Sequence, residues 1–415
     1  MPVSTARPGG LSPGLVALAL ALLLGLQPVT TDLYLPALPL LARDLAAPMS
    51  LAQLTMSALL LSFGLAQLVM GPVSDRFGRR PVLLGGLSLY SAASLAATLA
   101  PDIHTLIAAR VVQGAGLAAS VVCARAMVRD LFEPHEGAQV MARGLSGLGV
   151  IAILAPFSGG LLAAWAGWRA ALGAVTAVGV VTLAFVVWRL PETAPRLNPS
   201  ALDGRALAKS FSEVARHPAF RAWTALISST YAGLFVLLAG SSFVYIGNFG
   251  LPAWAYGLAM ASASLSYLCG TLWCRRLLRL HGLPGAVKRG AFFTLAGGAG
   301  MLALALGPTP PVLAVLACHW LFTFGHGVHQ PCGQAGAVSA FPRQAGVASA
   351  LSGFVLALTA FLVGLWLGGH MTGALLPLAG ALCAASVVTS LIAWTLVQRH
   401  GHPEKLLPSP HESVA

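Results

Sequence analysis

Charge is scarce in this sequence. Of its 415 residues only 9% are Asp, Glu, Lys or Arg, and the acids number 12. A soluble globular domain carries roughly 25% charged residues. So few charges could not cover the water-facing surface of a chain this long, which excludes an ordinary soluble globule. The cysteine spacing offers neither a disulfide framework nor a structural zinc site. The six cysteines (Cys123, Cys269, Cys274, Cys318, Cys332 and Cys383) lie in or beside apolar runs and form no CxxC pair. They read as buried free thiols that behave as small hydrophobes. No GxxxxGK[ST] loop is present, so ATP is not the expected energy source. No basic segment is interleaved with stacking aromatics, so the net charge of +12 points to no nucleic-acid partner.

What fills the chain instead is apolar sequence, 57% of all residues, in long blocks rather than at helical or strand spacing. About twelve blocks approach the ~20 residues that cross a bilayer. The expected spans are 14–36, 51–71, 82–100, 104–128, 139–164 and 169–190, then 219–245, 253–273, 288–307, 311–338, 345–368 and 372–397. The stretch Leu15 to Leu26 has the look of a signal-peptide core, but it runs on past Gln27 and many spans follow, so a first uncleaved span is favoured. An all-α polytopic membrane protein follows, with about 12 helices in two six-helix bundles at 1–190 and 219–398. The longest hydrophilic interior stretch, 191–218, reads as a cytoplasmic linker, and 399–415 as a cytoplasmic tail. Arg and Lys gather in alternate loops and their margins, at Arg76, Arg79, Arg80, Arg125, Arg129, Arg143, Arg275, Arg276, Arg279, Lys288, Arg289 and Arg343, whereas the other loops hold Arg43 and Arg169. Cytoplasmic loops collect such cations, so both termini are expected inside.

One run stands out. Gly71-Pro72-Val73-Ser74-Asp75-Arg76-Phe77-Gly78-Arg79-Arg80-Pro81 packs breakers and charges of both signs between two uncharged spans, and reads as a hairpin at the cytoplasmic face. A weaker echo, Gly270-x-x-x-Cys274-Arg275, follows the eighth span and hints at duplicated halves. Asp75 suits the N-terminus of a helix in the opposite half, where the macrodipole favours an anion, with the eleventh span near Gln344 as the best candidate. Arg79 or Arg80 has Asp130 as a candidate partner. The alternative is a solvated loop that only sets topology.

Asp32 is the one acid well inside an expected span. A charge at mid-bilayer costs on the order of 2.5–3.5 kcal/mol, so such a residue pairs, lines a wet cavity or is protonated. Burial favours the protonated carboxyl and a nearby cation the ionised one. Asp32 is therefore a candidate proton carrier, or else a solvated helix cap at the outer boundary. Arg110 in the fourth span is its natural partner by depth, with Gln113 three residues on and on the same face; the alternative is an arginine that ties helices together. Pro156 with Gly159 and Gly160 interrupts the fifth span as a kink with close packing. His319, His326 and His329 share a face of the tenth span. They are either neutral and hydrogen-bonded across helices, or in contact with substrate or protons, with a metal site also conceivable. Tyr34, Tyr231, Tyr245, His326 and His329 are candidates for a cavity wall.

These motifs resemble those of the major facilitator superfamily. Gly71 to Arg80 fits its loop signature GxxxDRxGRR throughout. Thr31-Asp32-Leu33-Tyr34-Leu35-Pro36-Ala37-Leu38-Pro39, Arg110-Val-Val-Gln113-Gly114-x-Gly116, Leu154-Ala155-Pro156-Phe157-Ser158-Gly159-Gly160, Pro191-Glu192-Thr193 and Phe243-Val244-Tyr245-Ile246 resemble the drug:proton antiporter branch and its Bcr/CflA drug-efflux group. The chain departs from the antiporter motif at Ala155 and Ile151, where glycines are usual. The resemblance implies proton-coupled efflux of small amphipathic drugs or antibiotics across a bacterial inner membrane, by a transporter that is not an enzyme, needs no cofactor beyond the proton, and works as a monomer. It links Asp32, Arg110 and Gln113 to proton coupling, Gly71, Asp75, Arg76, Gly78, Arg79, Arg80 and Asp130 to conformational switching, and Pro156, Gly159 and Gly160 to sealing against leakage. A facilitator, exporter or importer of a metabolite shares the fold and stays open, as does, more remotely, an enzyme built around the histidines.

Overall fold

Ser12 starts the first helix: its hydroxyl accepts the Leu15 N–H at 3.2 Å, and Pro13 follows at the first helical position, where its missing donor costs nothing. The computed structural model describes residues 11–308, 310–371 and 373–401; the outermost parts of the expected first bundle and tail lie outside the described residues. The helices are α1 (Pro13–Thr31), α2 (Leu38–Asp44), α3 (Met49–Phe77), α4 (Arg79–Thr98), α5 (Ile103–Leu131), α6 (Pro134–Arg189), α7 (Gly204–Arg216), α8 (Pro218–Ser242), α9 (Ala253–Leu306), α10 (Val312–Ser339), α11 (Ala345–His370), α12 (Leu375–Trp394) and α13 (Leu396–His400). Among the described residues, ten segments are long and apolar enough to cross a membrane. Two of them, α6 and α9, span 56 and 54 residues. Straight, each would exceed ~80 Å, more than twice a bilayer core. Each is broken near its middle by a glycine outside helical geometry, Gly167 (φ 79°) and Gly282 (φ 65°). Counting their arms separately gives about twelve crossings.

The contacts confirm the reversal at Gly167. Along the first arm of α6, Gly144 lies on Leu20, Gly147 on Ala21, Gly25 against Ile151 and Gly159 on Leu33, so this arm runs parallel to α1. The second arm runs against α4: Arg169 donates to the Ala100 carbonyl beyond one end of α4, and Arg80 to the Val187 and Leu190 carbonyls at the other. The second arm of α9 likewise runs against α12, where Trp394 donates to the Lys288 carbonyl and Ser390 to that of Ala291. Lipid tails are as apolar as Leu, so close approach of small residues, rather than hydrophobic exclusion, holds such helices together.

The chain divides into two compact units, Met1–Gly204 with Gly250–Ala261, and Arg205–Phe249 with Ser262–Ala415. The first is built around Leu20, Leu23, Tyr34, Tyr90 and Trp168, the second around Phe220, Trp223, Leu226, Leu277 and Val328. Residues 191–203 are non-helical, and α7 then buries Val214 in the second unit's core.

Three local expectations need correction. The hairpin at 71–81 is tighter than its run of breakers suggests: α3 continues through Phe77, α4 begins at Arg79, and Gly78 alone makes the turn. The basic segment after the eighth span is helical as well, save Gly282. Hydropathy marks where lipid ends, whereas helices run on through Asp and Arg, whose backbones bond as well as any. The first span is not one continuous helix: α1 ends at Thr31, and the chain bends and continues through a 3-10 turn at Leu35–Ala37 into α2. Pro36 and Pro39 lack the donors that would continue α1.

Candidate functional site

Two side chains one helical turn apart frame the break in α1. Thr30 and Tyr34 are buried, and the Thr30 carbonyl and the Tyr34 ring both meet Arg110 of α5. The Arg110 guanidinium is wholly buried. It donates to Gln113 Oε1 at 2.7 Å and to the Thr30 carbonyl at 3.2 Å, and its Cζ lies 4.2 Å from the Tyr34 ring centroid, a cation–π contact. Its Nε has no partner among the described residues. Gln113 passes the network to Ser94 Oγ at 2.6 Å, Thr30 Oγ1 meets the Tyr90 hydroxyl at 2.6 Å, and the Tyr34 hydroxyl meets Thr55 at 2.8 Å. Four helices, α1, α3, α4 and α5, are thus joined around one buried cation. Gly114 and Gly116 make room for it by letting α5 lie on the Leu59 carbonyl of α3 and the Gly86 carbonyl of α4.

The expected partnership of Arg110 with Asp32 is not direct. Asp32 is half-buried and accepts a 2.7 Å hydrogen bond from the neighbouring Thr31 hydroxyl. The reason is rotational. Residues 30 and 34 share one face of a helical path, and residue 32 points to the other side. Gln113, by contrast, lies against Arg110 as its three-residue spacing indicated.

At the turn between α3 and α4, Arg79 is the hub. Its Nε donates to Asp130 Oδ2 at 2.9 Å, and its Nη1 to Asp75 Oδ1 at 2.5 Å and Ser74 Oγ at 2.7 Å. Of the two arginines considered for Asp130, it is Arg79 that binds it. Arg80 instead donates to the Leu190 and Val187 carbonyls, at 2.8 and 3.0 Å, and so caps the end of α6. Arg76 is exposed over the Phe77 ring, and Gly71 sits 4.0 Å from Val122 by way of the Cβ it lacks. Gly78 holds φ +101°, open to glycine at little cost.

Glu192, of the Pro191-Glu192-Thr193 motif, completes this arrangement. Its carboxylate accepts the backbone N–H groups of Arg79 (2.9 Å), Arg80 (3.1 Å), Thr193 (2.9 Å) and Ala194 (2.8 Å). It is an anion on the N-terminus of α4, the favourable end of the helix dipole. Partial burial pushes this carboxyl up, but the N–H groups of Ala194, Arg79, Arg80 and Thr193 outweigh it and leave the group below its ordinary value. The sequence signal was an acid just after the sixth span, at the depth of the signature run.

In α6, Gly159 lies on the Leu33 carbonyl and Gly160 on the Ala253 carbonyl, while Gly257 lies on the Pro156 carbonyl. The interrupted span therefore packs against the bend of α1 and the start of α9. In the second unit, His326 Nδ1 and Thr230 Oγ1 are 3.1 Å apart, as are His329 Nε2 and Thr294 Oγ1. One joins α10 to α8 and the other joins it to α9. The His326 ring stands 5.6 Å from that of Tyr267, and His319 6.4 Å from that of Tyr245. His326, His329, Tyr245 and Tyr34 are buried, and Tyr231 is half-buried.

Residues 20–364 match the profile of the Major Facilitator Superfamily. The chain belongs to this superfamily. Multidrug resistance protein D of Escherichia coli (strain K12) is 30% identical to it over 81% of this chain and 84% of that protein. A bicyclomycin resistance protein homolog of Haemophilus influenzae is 25% identical over 92% and 96% respectively. A solved structure of the xylose transporter from E. coli aligns with a TM-score of 0.72 over 96% of this chain and all of the other, at 13% identity, and carries the fold. These relatives agree with the Bcr/CflA-like resemblance. The protein is a multi-pass membrane transporter of a small molecule, and not an enzyme.

Proposed function

We propose that this transporter exports small amphipathic drugs or antibiotics across the bacterial inner membrane by alternating access, in exchange for entering protons. Its relatives' roles in multidrug and bicyclomycin resistance support the direction and the cargo class. The observation that carries the coupling is Asp32: a half-buried carboxyl at the bend of a span, bonded to a neighbouring hydroxyl and not neutralised by contact with Arg110. Such a group takes up or gives off a proton as its surroundings change. Arg110 is held two residues to either side of it by Thr30 and Tyr34, so any shift of α5 reaches Asp32 through the backbone of the bend. Gln113 keeps Arg110 in place. Asp75, Arg79 and Asp130 hold the switch region, and the fifth crossing is sealed by Gly159 on the bend of α1 and by Pro156 and Gly160 on the start of α9. The chain works as a monomer with both termini in the cytoplasm.

Everted membrane vesicles test this. With an acidified lumen, adding a transported antibiotic from a panel should release luminal protons. Asp32→Asn should abolish that release while the protein still inserts and folds. Normal cargo-driven proton release by the variant, or uphill cargo movement by the parent without proton movement, overturns the reading. Downhill uptake that persists once the proton gradient is dissipated identifies a facilitator instead.

A further inference from the structure

The two halves tie the same pair of helices together with different chemistry. In the first unit, Gly71 of α3 faces Val122 of α5, and four and eight residues further along stand Asp75 and Asp130, joined through Arg79. In the second unit, Gly270 of α9 lies on Phe324 of α10, and the same four- and eight-residue steps lead to Cys274 and Cys332. Among the described residues no arginine bridges these two. Their Sγ atoms are 3.4 Å apart, and Cys274 Sγ also lies 3.9 Å from the Val328 carbonyl. Both thiols are free and buried. The pair is close because Gly270 and Gly327 let the two backbones meet about one turn away.

We propose that Cys274 and Cys332 form a redox-responsive dithiol, which hydrogen peroxide converts to a disulfide that staples the eighth span to the tenth and slows transport. Closing the bond requires the sulfurs to move from 3.4 Å to about 2.05 Å. Cys274 lies next to the exposed Arg275 and Arg276, with Arg279 one turn on. In the proposed orientation that end faces the cytoplasm, where disulfides are transient and sensory rather than structural. The chemistry balances with peroxide alone. The Cys274 sulfur attacks one peroxide oxygen, the O–O bond breaks, one water leaves, and a sulfenic acid remains. The Cys332 sulfur then attacks the Cys274 sulfur, the S–S bond forms, the S–O bond breaks, and the hydroxyl leaves as a second water with the Cys332 proton. Two thiols are oxidised and one peroxide is reduced. Cys123, Cys269, Cys318 and Cys383 have no thiol within such reach among the described residues.

The test uses the full chain in lipid nanodiscs with Cys123, Cys269, Cys318 and Cys383 replaced by alanine. After peroxide and denaturation, maleimide labelling of both remaining thiols should be lost, a peptide linking 274 to 332 should appear in mass spectrometry, and dithiothreitol should reverse both. Adding Cys274→Ser or Cys332→Ser should abolish the cross-link. Thiols that stay labelled, or that advance to sulfinic acid uncoupled, overturn the site. This readout needs no transport, so it stands apart from the efflux reading. In the otherwise native chain, peroxide should lower the transport rate reversibly, and a double Cys274→Ser, Cys332→Ser variant should lose that sensitivity. A disulfide that forms without slowing transport overturns the regulatory half.

Discussion

Arg110 shows how a cation can be buried without a carboxylate beside it. A carbonyl, an amide oxygen and an aromatic face share its charge. Removing it leaves the Gln113 amide and the Thr30 carbonyl short of a donor in a dry site. Each such loss costs about 1–3 kcal/mol. Arg110→Ala should therefore lower the thermal unfolding midpoint in detergent by several degrees, and Arg110→Lys should recover only part, because a lysine cannot fork to two acceptors while lying flat on Tyr34. Glu192 offers a pH signature. Its folded carboxyl lies below the ordinary value, so its stabilisation is present above the unfolded pKa of about 4.3 and fades as pH falls through the folded one. Glu192→Gln should destabilise the α3–α4 turn at neutral pH, by about 1–2 kcal/mol after allowance for solvent. The difference from the parent should vanish in acid, and unfolding curves across pH 2–7 measure it. That Asp32 and Arg110 belong to one region was legible from depth along two spans. That they do not touch was not, because the bend after Thr31 sets the rotation of residue 32, and no periodicity encodes a bend.

Helices in this protein meet through glycine, and the cost of adding a methyl depends on what lies opposite. At Gly159 a Cβ would run into the Leu33 carbonyl, which is backbone and cannot step aside, whereas Gly149 on the same helix faces open space. Gly159→Ala should push α6 off α1 and cost a few kcal/mol. Gly149→Ala should be neutral or stabilising by up to about 1 kcal/mol, from helix propensity alone. Folded yield and unfolding temperature of the two variants compare the cases directly. Both glycines look alike in sequence. The existence and order of the helices were readable because uninterrupted apolar length has few other meanings, but the turns at Gly78 and Gly282 were read too long. Polar residues leave the bilayer without leaving the helix.

At the scale of the molecule, the Arg79 hub ties the ends of α3, α4 and α5 together, and Glu192 and Arg80 tie the end of α6 to the same place. In the proposed cycle these contacts lock one state and break on switching, so they set the rate of the change. Asp75→Ala should slow turnover while leaving the affinity for cargo unchanged. Direct binding and vesicle transport, measured on one preparation, separate the two, and unchanged turnover removes the proposed role of Asp75 in switching.

Composition and apolar run length alone require that this chain crosses a membrane about twelve times, because a bilayer rejects charge and unpaired backbone groups wherever they occur. The sequence also singled out the signature run, the acid at 32 and the histidines of the tenth span. Who meets whom emerges from the packing of the helices. His326 finds Thr230 across 96 residues, Cys274 finds Cys332 across 58, and Glu192 returns across more than a hundred to the start of α4. Such pairings depend on how each helix is rotated about its axis and how closely its neighbour approaches. Those quantities are set by side chains interlocking in space, and no stretch of one-dimensional pattern contains them.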